Sequence, residues 1–313
     1  MAAFTAPGAD HGLPGLLPTR APKTRQGRMW MSKSRLKMGI ILVLPFVLYI
    51  TTFLIIPLFS VVYMSTQTVN EQDQLEASFT LANFAGAVTA KNLPILLRSA
   101  GYAAITTVLC LLLGFPLAWF IARHGGQRKN LYMLLMMLPF WTSYLIRIFA
   151  WMTILQSEGV LNGILMRLNI ISAPIDMLNT PFSVILGLTY GFLPFAALPI
   201  YATLEKLDFS LLEAAADLGA TPRKAFFYVI LPNSLPGIAA ACLLTFVPAM
   251  GDFVTPEILG GVETMMVGNL IQQQYLASFN WPFGAALSLI LMCIMLSFIA
   301  LFLKTSGSTE ILA

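Results

Sequence analysis

The chain has 313 residues, of which 58% are hydrophobic and 10% charged, with a mean hydropathy of +0.79. A soluble domain carries about 25% charged residues, so this balance excludes the soluble globular class and points to an integral membrane protein. The net charge of +4 is too small and too dispersed to call for a nucleic-acid partner, and the two histidines, His11 and His124, leave no nucleophile–base or metal-ligand set for an enzyme.

Residues 1–37 form a basic tail rich in Pro and Gly, expected to be cytoplasmic and partly disordered. Crossing about 30 Å of hydrocarbon takes roughly 20 residues at 1.5 Å each. Six apolar runs are long enough: residues 38–64, 94–122, 131–155, 182–204, 226–249 and 282–303. The first is too long for a signal-peptide core and lacks a small-residue cleavage site, so it is expected to stay as a helix. Pro232, Pro236 and Pro248 interrupt the fifth, whose spanning core is expected at 235–249. Residues 38–304 are then the six-helix membrane domain, with a cytoplasmic loop at about 205–232, and 305–313 a cytoplasmic C-terminal tail.

With the N-terminus inside, 14 Lys and Arg fall in the inner segments. Lys91 and Arg167 are the two in outer loops, and Arg98 and Arg147 lie within apolar runs. Eight acidic residues fall outside, including Glu71, Asp73, Glu257 and Glu263. This bias sets the expected orientation, six helices with both termini cytoplasmic. Cys110, Cys242 and Cys293 have no paired spacing and read as small buried residues.

The loop after the fourth run, "SLLEAAADLGATPRKAFFYVILPNSLPG" (Ser210 to Gly237), concentrates charge, glycine and proline. Ser210 followed by Glu213 has the spacing of a capping box. Leu211, Leu212, Ala215 and Leu218 form an apolar stripe, with Glu213 and Asp217 on a polar side. Gly219 suits a positive-φ helix end, and Thr221-Pro222 suits an N-cap followed by proline at the first helical position. A helix–turn–helix elbow is expected. Its small residues, Ala214, Ala215, Ala216 and Gly219, either pack the elbow on its own membrane helices or admit another protein.

"EAAADLGATPRKAFFYVILP" resembles the EAA loop of ABC importer permeases: EAA, three residues, G, nine residues, I, one residue, LP. Glu213, Ala214, Ala215, Gly219, Leu231 and Pro232 occupy their slots, and Val229 stands at the Ile slot. "LPFWTSYLIRIFAWMTIL", "GLTYGFLPFAALPIYATLEKLD" and "VPAMGDFVTPEILGG" resemble segments of the spermidine/putrescine permease branch. The resemblance implies an all-α membrane protein of the type I ABC importer fold in a bacterial inner membrane. It also implies a coupling helix in which Glu213, Ala214, Ala215, Gly219 and Pro232 lie at or near an ATP-binding subunit. The implied partners are the ATPase subunits, a second permease chain and a periplasmic solute-binding protein. No G-x-x-x-x-G-K-[ST] loop occurs, so this chain is expected to bind no cofactor, with ATP and Mg used by the partner ATPase.

A charge at bilayer depth costs at least about 2.5–3.5 kcal/mol if unpaired, so Arg147 should face protein or water. It reads as a gate or cavity residue, or as a structural ion pair or carbonyl contact. Asp252, in "PAMGDFVTPE", where regular helix is not expected, either binds a protonated amine by a charge-assisted hydrogen bond or neutralises Arg147. Trp141, Tyr144, Phe149 and Trp151 around Arg147 either hold an organic cation over their faces or anchor the interface. Tyr190, Phe192 and Phe195 are further wall candidates. A small cationic substrate, putrescine or spermidine, is the leading expectation. Another small solute, amino-acid-like or organophosphonate, is the alternative. An ion-driven secondary transporter would call for more paired intramembrane acids and for internal repeats.

Overall fold

A computed structural model describes residues 33–69, 75–76 and 78–305, with the side chains of 42–304. The expectations for 1–32, Glu71, Asp73 and 306–313 lie outside these residues. The chain divides into two units, Met1–Ile55 and Ile56–Ala313. In the first, α1 (Lys33–Ile50) runs through Pro45 into a π turn at Thr51–Ile55.

The second unit begins with α2 (Ile56–Ser65) and a two-stranded antiparallel ribbon, β1 (Thr68–Val69) with β2 (Leu75–Glu76), which the all-α expectation did not include. Then follow α3 (Ala82–Ala87), α4 (Leu93–His124), α5 (Lys129–Met137), α6 (Tyr144–Leu155) and α7 (Val160–Arg167). The order continues with α8 (Pro181–Leu204), α9 (Ser210–Asp217), α10 (Pro222–Ala225), α11 (Leu231–Gly251), α12 (Val254–Leu259), α13 (Val267–Leu276) and α14 (Trp281–Thr305). Among the described residues, six helical stretches are long and apolar enough to cross a membrane: Leu42–Ser65, Leu93–His124, Tyr144–Arg167, Pro181–Leu204, Pro222–Gly251 and Trp281–Lys304.

Helices α4, α8 and α11 pack together as the interior of the second unit. In lipid, helices gain no hydrophobic drive to associate, so close van der Waals contact between small residues takes its place. A Cβ on Gly114 of α4 would sit 3.3 Å from the Ala197 backbone nitrogen of α8. A Cβ on Gly237 of α11 would meet Thr203 Oγ1 at 2.5 Å and the Pro199 carbonyl at 2.7 Å. Cys110, Ala118, Ile121, Ile200, Leu204 and Ile230 fill the space between these helices. The expectation of buried cysteines holds for Cys110 only: Cys242 is half-buried and Cys293 exposed.

Two spans differ from the sequence reading. The third run is not one helix: α5 tightens into a 3-10 turn at Leu138–Trp141, the backbone turns extended at Thr142, and α6 restarts at Tyr144. Pro139 sits in that 3-10 turn, where its missing N–H is tolerated. The fifth run, conversely, is helical from Pro222 to Gly251 despite its prolines. A π turn at Phe226–Ile230 absorbs the strain ahead of Pro232, and the side chains of Asn233 and Ser234 donate to the Val229 and Ile230 carbonyls at 2.7 and 2.6 Å.

Arg98, within the second span, donates through Nε to the Met265 carbonyl at 3.0 Å and through Nη1 to the Glu263 carbonyl. Its charge is thereby turned onto backbone acceptors. The close approach at Gly237 yields a direct expectation: Gly237→Val should separate α8 from α11 and lower stability by about 1–3 kcal/mol through overpacking, read as a fall in the melting temperature of the detergent-solubilised protein. An unchanged melt would mean that this contact does not set the spacing of the two helices.

Candidate functional site: a polar cleft and an exposed elbow

The backbone break before α6 and the short gap after α11 face each other. Tyr144 opens α6, Asp252 ends α11, and the two side chains meet: Tyr144 donates its hydroxyl to Asp252 Oδ2 at 2.7 Å. Thr255 Oγ1 donates to the same oxygen at 2.5 Å and lies 2.6 Å from the Tyr144 hydroxyl. Each hydroxyl has one proton, so once both point at the carboxylate none remains for their mutual contact. Oδ1 accepts from the backbone N–H groups of Val254 at 2.9 Å and Thr255 at 3.5 Å. Asp252 is therefore the side chain that starts α12, as short acidic residues commonly do at helix starts.

Tyr144 and Asp252 line an open cleft of about 430 Å³, together with Phe140, Arg147, Gly191, Phe192, Phe195, Pro248, Gly251 and Phe253. Helix α8 supplies the back wall. At Gly191 a Cβ would lie 3.1 Å from the Tyr144 ring, so the glycine admits the tyrosine to its place.

Arg147 forms no ion pair with Asp252 among the described residues, so the neutralisation expected as one reading is not made by direct contact. Its guanidinium carbon sits 4.4 Å over Phe140, 5.5 Å from the centre of the Tyr144 ring and 5.8 Å from that of Tyr190. Nε and Nη1 are enclosed and meet no acceptor among the described residues, which is costly for a polar atom away from water. The charge is held by ring faces in place of a carboxylate.

Of the candidates from sequence, Tyr144, Arg147, Phe192, Phe195 and Asp252 line the cleft together. Tyr190 lies behind it, stacked 6.4 Å from Phe140 and edge-on to Trp151 at 5.5 Å. Trp141 is 75% exposed and Phe149 is also exposed, so neither forms the cage around Arg147. Phe140, Gly191 and Thr255 were missed. The "PF" following a helical run and the glycine facing an aromatic were available signals, but only the fold shows what they face.

At another end of the bundle the elbow departs from the expected capping box. Ser210 makes no side-chain cap; Asp208 Oδ1 instead accepts from the Ser210 N–H at 2.9 Å and fastens the start of α9. Gly219 ends the helix at φ +77°, and Thr221 Oγ1 accepts from the Lys224 N–H at 3.4 Å to start α10. Of the expected apolar stripe, Leu212 packs into the core, Ala215 is half-buried, and Leu211 and Leu218 are exposed. Glu213, Ala214, Ala216 and Gly219 are exposed beside them, Val229 is half-buried, and Pro232 lies in the first turn of α11.

The elbow is fastened to the bundle by Trp119 against Phe209 at 5.9 Å, by Arg123 at 4.9 Å from the Phe209 ring centre, and by a Lys129–Glu205 ion pair between α5 and the end of α8. The Lys129 hydrogen bond holds the Glu205 carboxyl below its usual range, helped by Tyr201, and raises Lys129 in turn.

The Ser210 backbone N–H likewise holds the Asp208 carboxyl below its usual range. A depressed carboxylate stabilises the fold at pH values above its unfolded pKa, about 3.9, and that contribution is lost as pH falls through the lower folded value. Asp208→Ala should therefore speed amide exchange across 210–217 at neutral pH. Unaltered exchange would rule out Asp208 as the fastener. In the cleft, Tyr144→Phe should lower stability by about 1.5–3 kcal/mol, the range for a hydrogen bond to a charged group, measured by thermal melting. A wild-type melt would mean that Thr255 alone holds Asp252.

Residues 114–306 match the family described as binding-protein-dependent transport system inner membrane component. The chain is 40% identical over 247 residues to the spermidine/putrescine transport system permease protein PotB of Escherichia coli (strain K12), covering 79% of this chain and 90% of that protein. It is 42% identical over 237 residues to PotB of Haemophilus influenzae (strain ATCC 51907 / DSM 11121 / KW20 / Rd), covering 76% and 83%. In fold it is similar to a chain of a bacterial ABC transporter involved in the import of the acidic polysaccharide alginate, with a TM-score of 0.73 at 17% identity, covering 90% of this chain and 99% of that one.

Proposed function

The chain belongs to the family of binding-protein-dependent transport system inner membrane components, and on that premise we propose that it is the transmembrane permease subunit of an ATP-driven importer moving polyamines, putrescine or spermidine, across the bacterial inner membrane. The observation that carries this reading is the 40–42% identity to PotB permeases over three quarters or more of the chain. The cleft is chemically suited to the task. Asp252 supplies a carboxylate beside aromatic faces, and a protonated amine can take both a charge-assisted hydrogen bond and a ring face.

All lone pairs of Asp252 that face protein are engaged, so an incoming ammonium must replace the Tyr144 or the Thr255 hydroxyl at Oδ2. The replaced hydroxyl still has its neighbour 2.6 Å away as an acceptor, which keeps the exchange inexpensive. Arg147 opposes a cation in the same cleft until it turns away from Phe140 or the substrate passes on its far side. A second reading, an amino-acid-like solute, has one observation in its favour: Arg147 Nε and Nη1 are without an acceptor, and a solute carboxylate would provide one.

In this proposal the elbow with Glu213, Ala214, Ala215, Gly219 and Pro232 is cytoplasmic and docks on an ATP-binding subunit, both termini are cytoplasmic, and a second, homologous permease chain completes the pathway. A periplasmic solute-binding protein delivers the polyamine. This chain binds no cofactor of its own; ATP and Mg belong to the ATPase. Exposed Leu211 and Leu218 beside small Ala214 and Gly219 support the docking assignment, since apolar side chains left in water mark a surface that a partner covers. Binding protein, ATP and solute then act by shifting one equilibrium between inward-open and outward-open forms.

The deciding experiment is ATP-dependent uptake of labelled putrescine and spermidine into proteoliposomes holding the whole complex. Wild type should accumulate at least one of them, Asp252→Asn should lose most of that uptake while assembly persists, and Glu213→Ala should retain basal ATPase while losing its stimulation by loaded binding protein. Wild-type uptake of an amino acid with neither polyamine would favour the second reading.

A further inference from the structure

Along α12 from Asp252 lies a second cavity, of about 270 Å³, lined by Glu257, Asn269, Gln272 and Gln273 together with Met265 and Leu276. No basic side chain lines it. Asn269, 4% exposed, fixes its geometry: its Nδ2 donates to Glu257 Oε2 at 2.9 Å and to the Phe253 carbonyl at 2.8 Å, while its Oδ1 accepts from the Met266 N–H at 3.2 Å. One carboxylate oxygen of Glu257 is thereby positioned, and the other has no protein donor among the described residues. The side-chain amides of Gln272 and Gln273 make no hydrogen bond to protein among the described residues, so they are free to present carbonyl oxygens to the cavity they line.

An ammonium carries three donors and no acceptor, and one carboxylate oxygen with two amide carbonyls is a complementary set. Arg98, whose acceptors include the Met265 carbonyl, is turned onto backbone oxygens and does not compete for Glu257. The two cavities are linked through one side chain: Phe253 lines the Asp252 cleft, and its carbonyl accepts from the same Asn269 amide that holds Glu257.

We infer that Glu257, with Gln272 and Gln273, forms a second ammonium site adjoining the Asp252 cleft, so that the permease selects linear aliphatic amines bearing two or more ammonium groups over monoamines. The inference rests on the polyamine reading and deepens it. Two carboxylates, Asp252 just ahead of α12 and Glu257 within it, read the spacing of charges along a flexible chain. A monoamine engages one of them and leaves the other unused.

The test is equilibrium binding of labelled spermidine and labelled n-butylamine to the complete importer in nanodiscs. Glu257→Gln keeps an oxygen for the Asn269 amide and removes the charge, and it should weaken spermidine roughly tenfold, the equivalent of one charge-assisted hydrogen bond, with n-butylamine unchanged. Gln273→Glu adds a carboxylate and should tighten spermidine. Unchanged spermidine affinity in Glu257→Gln, equal weakening of both amines, or no gain in Gln273→Glu would each overturn the second site. A wild-type importer that binds neither amine while transporting another solute would instead overturn the polyamine reading itself.

Discussion

The constraint on which the rest depends is that a backbone inside a bilayer has no water to satisfy its N–H and C=O groups. Every departure from helix must therefore be repaired by protein. The chain departs twice at the cleft, at Thr142 before α6 and at Asp252 after α11. Asp252 repairs the break it stands at, and Tyr144, beside the other break, holds Asp252 in place. Asp252 accepts the N–H groups freed at the start of α12 and is itself held by Tyr144, the first residue of α6. A carboxylate that would be prohibitive alone is admitted because it completes the local hydrogen bonding. The polar feature of the cleft is thus the means by which two broken helices are joined.

Arg147 illustrates the other solution to the same problem. With no carboxylate partner among the described residues, its charge is spread against Phe140, Tyr144 and Tyr190. Aromatic faces stabilise a cation less than a carboxylate would, and they leave it free to rotate without breaking an ion pair. The two arginines within apolar runs consequently differ in kind: Arg98 ties a span to backbone carbonyls, and Arg147 rests against ring faces.

Six apolar runs, the basic bias of one set of loops and the elbow spacing around Gly219 were legible because they depend on length, charge and local backbone preference. The broken third run was not, since hydropathy does not distinguish a continuous helix from two helices joined by a 3-10 turn; Pro139 was the local sign. The fifth run misled in the opposite direction, because the π turn and the hydroxyl and amide donors of Ser234 and Asn233 let its prolines stay in a helix. At the elbow, Ser210 has the spacing of a cap, yet Asp208 two residues earlier reaches the free N–H. In the cleft, residue types were legible and partners were not. That Asp252 would meet Tyr144 and Thr255 in place of Arg147 depends on the approach of α8 at Gly191, a tertiary fact.

The Lys129–Glu205 pair between α5 and the end of α8 is solvent-exposed on both sides. Such a pair is screened by dissolved ions over a Debye length of about 8 Å at physiological ionic strength, whereas the enclosed contacts of the cleft are not. The grip of the elbow on α5 therefore loosens in concentrated electrolyte and tightens in dilute electrolyte. The packing of Phe209 against Trp119 carries no such dependence, so the elbow keeps that anchor at any ionic strength.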